Sequence, residues 1–386
     1  MTPPLSGIRV LDLTRLLPGS VCSLLLADMG ADIIKIEDPN GGDYARWMPP
    51  TIDGLGSFFR VSNRNKRSAI IDLKDAQGRA VFQRLVAGAD VVIESFRPGV
   101  MTKLGCDAAA LRAINPRLVY CSLSGWGADG PYAQYSGHDL NYLAVSGLLG
   151  AMRKPAVPGG QVADVGGALA AVAGILAALV GREQTGEGRT VDVGLFEAAL
   201  LFSLQPWIET MTAQAGDAIP SDGTLTGGQA CYNVYTARDG RTVTLGAIEP
   251  KFWERFCQAV ARPDLIPDYL APARQAYLHV ELAELFALRS AAEWEALLAP
   301  VDCCFAVVNT PAEVVDNVQV VGRGMLGIHE DGTPWIHSPV HLSDAPLQPG
   351  GVPGYGEHTR AVLGEAGYSA ADIDVLIAAG AVKTAE

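Results

Sequence analysis

The sequence has 386 residues, 49% of them hydrophobic and 18% charged, with 43 Gly and 24 Pro. That length exceeds the roughly 100–200 residues of one domain and the composition excludes a disordered chain, so two domains are expected. A net charge of −13, from 29 basic and 42 acidic residues, argues against a nucleic-acid partner and leaves room for a small anion only where basic residues cluster.

Taken in chain order, residues 1–7 contain no basic segment leading into an apolar run, so no secretory signal is expected. Short apolar runs at 8–13, 33–37, 90–94 and 118–123 read as strands, separated by helical patterns at 20–29 and at 75–87, the latter with Asp75 as a cap. This alternation is the signature of an α/β doubly wound, open parallel sheet. The turn after the first strand, Thr14-Arg15-Leu16-Leu17-Pro18-Gly19, lacks the GxGxxG that brings backbone against a pyrophosphate, which weakens a nicotinamide or flavin reading. An apolar helix at 168–180 is shorter than the about 20 residues a bilayer requires, and a strand follows at 189–193. A cytoplasmic protein with no membrane partner is therefore expected.

Beyond a Gly/Ser/Thr/Asp-rich stretch, Asp239-Gly240 between apolar runs at 232–235 and 242–246 signals a hairpin, followed by helical patterns at 250–260, 279–289 and 292–298. The expected organisation is a large domain of residues 1–198 and 331–386, a linker at 199–228, a small α+β domain at 229–320 and a return linker at 321–330. The seven Cys have no CxxC spacing, so neither disulfides nor a metal site is expected, and the adjacent Cys303 and Cys304 read as packing residues.

Three residues carry the chemistry. His138 lies in Gly137-His138-Asp139-Leu140-Asn141-Tyr142, where a titratable ring meets a carboxylate, an amide and a phenol; a His alone before a helix is more often a structural hydrogen-bonding residue. Asp164 sits before the apolar helix among Val165-Gly166-Gly167, either as a cap or as a catalytic carboxylate. Glu249 ends an apolar strand just before Pro250, at a capping or solvent position that is also a common place for a site. Arg60, Arg64, Lys66 and Arg67 cluster, with Lys35, Lys74, Arg97 and Lys103 near element ends; they read as an anion-binding surface or as a solvated loop.

Together these segments resemble the class III coenzyme A transferase superfamily, especially its α-methylacyl-CoA racemase branch. The resemblance spans nearly the whole chain, through Leu26-Ala27-Asp28-Met29-Gly30-Ala31-Asp32, Asn65-Lys66-Arg67-Ser68, Arg97-Pro98-Gly99-Val100 and Gly356-Glu357-His358-Thr359. It implies a Rossmann-like large domain, a smaller domain and an interlocked homodimer. It also implies an acyl-CoA substrate with no separate cofactor. The GHDxNY, the Asp before a Gly-rich helix start and the AIEP of racemases match His138, Asp164 and Glu249. The implied coenzyme A contacts are Ile71, Asp72, Leu73, Lys74, Ser95, Phe96, Arg97, Lys103, Gly137, Asp139, Leu140, Asn141 and Tyr142.

The chain departs from the racemase pattern at Thr226-Gly227-Gly228-Gln229-Ala230, which is similar to a transferase loop. It departs again at Asp38, where racemases often carry an Arg that Lys35 would partly replace, and at Asp302-Cys303-Cys304. The expected reaction is racemisation of 2-methylacyl-CoA thioesters. His138 and Asp164 would exchange the α-proton, Glu249 would tune His138, and N–H donors near Asp139 or at a helix start near Gly166 would hold the enolate. The alternative is CoA transfer between carboxylic acids through an Asp164 anhydride and thioester.

Overall fold

A computed structural model describes residues 2–212, 222–329, 332–343 and 349–385. The chain divides into two compact units: Met1–Leu143 with Pro158–Ala199 and Val318–Glu386, and Ala144–Val157 with Leu200–Asn317.

In the first unit the apolar runs become strands buried on both faces, the condition under which parallel sheets form, although the edge strand at Thr190–Gly194 is partly exposed. β1 (Arg9–Asp12), β2 (Asp32–Glu37), β3 (Lys66–Ile71), β4 (Val91–Glu94), β5 (Val119–Ser124) and β6 (Thr190–Gly194) pair in parallel in the order β3-β2-β1-β4-β5-β6. The strand Val382–Lys383 adds antiparallel to β3. This is the open doubly wound sheet expected from the alternation, and the Rossmann-like domain that the resemblance implies. β3 was not expected, because its first residues, Lys66 and Arg67, read as surface charges; Lys66 is in fact buried.

Five helices matter for the site: α1 (Leu16–Asp28), α2 (Ala76–Val86), α3 (Ala108–Ile114), α4 (Asp139–Val145) and α5 (Val162–Thr185). Asp75 caps α2, its Oδ1 accepting the N–H of Gln77 at 2.8 Å and of Gly78 at 3.1 Å. α5 has 24 residues and so begins earlier and ends later than the apolar run that announced it. By length and composition alone it could cross a bilayer, but Ala163, Gly167, Ala171, Val172 and Ile175 are buried where it packs on α1, β5 and β6.

In the second unit β7 (Tyr232–Thr236), β8 (Thr242–Gly246) and β9 (Phe305–Val307) form an antiparallel sheet with β8 in the middle. Its helices are α6 (Leu204–Thr212), α7 (Pro250–Ala259), α8 (Gln275–Phe286) and α9 (Ala291–Leu298). Trp253, Phe256, Phe286 and Trp294 fill the core, and the indole N–H of Trp294 donates to the Phe286 carbonyl at 2.9 Å. The stretch expected as a linker carries α6, while 213–221 lie outside the described residues. The expected return linker contains the strand Leu326–Ile328, paired with Pro334–Ile336.

Candidate functional site

The strand order reverses between β1 and β4, so the loops that follow them diverge and open a crevice at the carboxyl edge of the sheet. Arg15 and Leu16 follow β1, Ser95, Phe96 and Arg97 follow β4, and Gly125 and Trp126 follow β5. All line a cavity of about 590 Å³ together with His138, Tyr142, Gln161 and Asp164. A second cavity of about 390 Å³ shares Arg15 and Phe96 with the first and is lined by Asp38, Tyr44 and the run Ile71, Asp72, Leu73 and Lys74.

His138 immediately precedes α4. Its backbone N–H donates to the Asn141 side chain at 3.0 Å and its carbonyl accepts the Asn141 N–H at 2.8 Å, which fixes the turn while the imidazole stays exposed. Tyr142 donates to the Gly137 carbonyl at 2.7 Å and meets Trp126 edge-on at 4.9 Å. A Cβ at Gly125 would fall 2.2 Å from the Tyr142 hydroxyl, and one at Gly137 would fall 2.7 Å from its ring, so this close approach requires glycine at both positions.

Asp164 is the third residue of α5, not its cap. The N-cap position, Gln161, makes no side-chain bond; the helix is capped instead by Asp139, whose Oδ1 accepts the N–H of Ala163 at 2.7 Å and of Asp164 at 3.1 Å. The Asp164 carboxylate is half-buried and has no hydrogen-bond partner among the described residues. Burial, then the negative charge of Asp139, pushes its carboxyl up to about 6. The Ser124 hydroxyl and Trp126 indole N–H, on residues that line the same cavity, are buried without a partner among the described residues. These are donors for a ligand.

Glu249 belongs to the second unit, at the N-cap position of α7 with Pro250 as first helical residue, yet its carboxylate forms no capping bond and is exposed. Of the expected capping or solvent placement the solvent half holds: Glu249 occupies the N-cap position, but its side chain caps nothing. Partial desolvation, then the charge of Glu249, raises the thiol of Cys304, and Cys304 is exposed rather than packed, on the wall of a cavity of about 950 Å³ with Arg153, Lys154, Asn233 and Gly246. Cys303 alone is a packing residue.

The sequence model of CoA-transferase family III matches residues 5–359. The chain belongs to CoA-transferase family III. Human alpha-methylacyl-CoA racemase is 33% identical over 379 residues, covering 96% of this chain and 95% of its own. The succinate–glutarate CoA-transferase of Agrobacterium fabrum is also 33% identical, over 404 residues, covering 94% and 96%. The crystal structure of a CAIB/BAIF family protein from Brucella suis superposes with a TM-score of 0.81 at 31% identity, covering 95% of this chain and 100% of that one.

Within this family III chain the residues matched by resemblance are dispersed. Ile71, Asp72, Leu73, Lys74 and Phe96 line the smaller cavity, while Ser95, Phe96, Arg97, Gly137 and Tyr142 line the larger. Leu140, Asn141 and Lys103 line neither, and nor does Asp139, whose carboxylate is engaged by α5. The basic cluster is not an anion-binding surface. Arg64 pairs with Asp28 inside the protein, Arg60 bonds Thr333, and Arg67 bridges Asp32 and Glu365. The Lys66 ammonium donates to the Ser20 carbonyl, Ser23 and Asn63, and burial depresses it to about 7. Lys35 cannot replace a phosphate contact: it is 0% exposed, donating to the Thr14 carbonyl and pairing with Asp43, each at 2.9 Å. Nor does a helix start near Gly166, since α5 begins at Val162. Arg15 and Ser124 escaped the sequence reading; the available signal was position at the carboxyl end of an expected parallel strand, Arg15 just after β1 and Ser124 at the end of β5.

Proposed function

We propose that this family III member is an α-methylacyl-CoA racemase, interconverting (R)- and (S)-2-methylacyl-CoA thioesters by 1,1-proton transfer through an enolate. The observation that carries the proposal is that His138 and Asp164, two proton carriers from different elements, line one cavity. An Asp164 carboxyl held near 6 both accepts and returns a proton close to neutral pH. Inversion needs a base on one face of the α-carbon and an acid on the other, and these two residues fill the roles in turn. The enolate oxygen requires hydrogen-bond donors. The N–H groups of Asp139 and Leu140, at the start of α4, have no acceptor within the helix, whereas that of Asn141 is taken by the His138 carbonyl and those of Ala163 and Asp164 by the Asp139 side chain.

The coenzyme A nucleotide is assigned to the smaller cavity, where Arg15 and Lys74 offer positive charge and Asp38, 3.7 and 3.9 Å from them, competes with a phosphate for both. The second partner is another copy of the chain, a homodimer supported by the exposed side chains of Leu201, Phe202, Leu204, Trp207 and Met211 on consecutive helical turns. CoA transfer remains the second reading. It is favoured by Thr226-Gly227-Gly228-Gln229 and by transferase relatives at the same 33% identity.

The test is to incubate the protein, whose solution mass should be twice the 40.6 kDa of the chain, with (R)- or (S)-2-methylacyl-CoA in heavy water, reading α-deuteration and chirality. Deuterium uptake with inversion, lowered at least about a hundredfold in His138→Ala and in Asp164→Ala, is expected. No uptake, with CoA passing to an added carboxylic acid, would replace racemisation by transfer.

A further inference from the structure

We infer that Asp139 is a positioning residue for the proton transfer: its carboxylate fastens the first turn of the helix carrying Asp164 to the turn carrying His138. The two bonds, 2.7 Å to the N–H of Ala163 and 3.1 Å to that of Asp164, span 24 and 25 residues of sequence. The fastening oxygen belongs to a residue only 9% exposed and adjacent in sequence to His138, so one side chain sets the spacing of the two proton carriers. Without it, α5 has no side-chain cap.

The same carboxylate faces the Asp164 carboxyl electrostatically. The other titratable group coupled to Asp164 is Tyr142, on α4, whose hydroxyl is committed to the Gly137 carbonyl, with Arg97 acting on Tyr142 in turn. Asp139 is thus the charge that adds to burial in raising the Asp164 carboxyl.

This inference rests on the proton-transfer reading for its kinetic consequences but not for its direct test. Asp139→Asn keeps an acceptor oxygen and removes the charge; Asp139→Ala removes both. In Asp139→Asn the acid limb of the rate profile should move to lower pH in the direction where Asp164 is the base. In the opposite direction kcat above pH 7 should fall about tenfold for each unit by which Asp164 acidifies, with KM within about twofold. Asp139→Ala should lose at least a further about tenfold in kcat in both directions, and partial rescue by Asn separates positioning from loss of fold. An Asp139→Asn profile superimposable on the wild type would overturn the inference, and so would an Asp139→Ala variant with undiminished kcat. If Asp139→Ala does not fold, the Asn variant decides alone. Should the wild-type protein exchange no α-proton, the ¹³C carboxyl titration of Asp164 in wild type and Asp139→Asn, assigned with Asp164→Asn, still decides. A fall in the variant supports the charge role, and an unchanged midpoint removes it.

Discussion

Asp164 is kept half-buried beside a second carboxylate, and this arrangement opposes folding. Its carboxyl titrates at about 6 in the folded chain against an ordinary 3.8, so between those values the folded state holds more proton than the unfolded one. Stability therefore falls as pH rises from about 4 to about 6, and the deficit is complete above that. Asp164→Asn should stabilise the protein by on the order of 1–2 kcal/mol above pH 7, after allowance for its partial exposure, with the gain vanishing near pH 4. Urea melts across that range check it. His138 and Asp164 were legible because each sits in a short, chemically dense segment. The fates of Lys35, Arg64 and Lys66 were not, because a residue type does not disclose burial and no local pattern ties them to their compensating partners, Asp43, Asp28 and Asp12.

At the scale of elements, strands built mainly on apolar residues, β1, β2, β4 and β5, could be read directly, and so could the β7–β8 hairpin around Asp239-Gly240. β3 could not, since it opens on charged residues that become interior only once paired. The approach to β3 is secured by Arg64, 0% exposed, against Asp28 at the end of α1, with the Asn65 amide donating to the same carboxylate at 3.1 Å. Arg64→Met leaves that carboxylate buried with less compensation and should cost about 3–5 kcal/mol. Adding Asp28→Asn should recover part of the loss. Denaturant titration of the single and double variants measures both, and equal stability of Arg64→Met and wild type would remove the pair from the forces holding this junction.

For the whole molecule, the alternation of strands and helices announced a doubly wound sheet but not its order, which depends on pairings between strands remote in sequence. Nor did it reveal that Ala144–Val157, lying between His138 and Asp164 along the chain, belongs to the second unit; its composition does not differ from its neighbours'. Arg15 and Phe96 border both cavities of the first unit, with the Arg15 guanidinium 5.1 Å from the Tyr44 ring and 5.8 Å from that of Phe96. In the proposed reaction this shared wall makes the substrate a tether gripped at its far end: affinity for the nucleotide is converted into aim at the α-carbon. A 2-methylacyl thioester of N-acetylcysteamine, cut short of the nucleotide, should therefore lose about a hundredfold or more in kcat and not merely bind less tightly. Steady-state kinetics at saturating concentrations of the severed substrate measure how much of the catalysis is carried by a part of the molecule that never reacts.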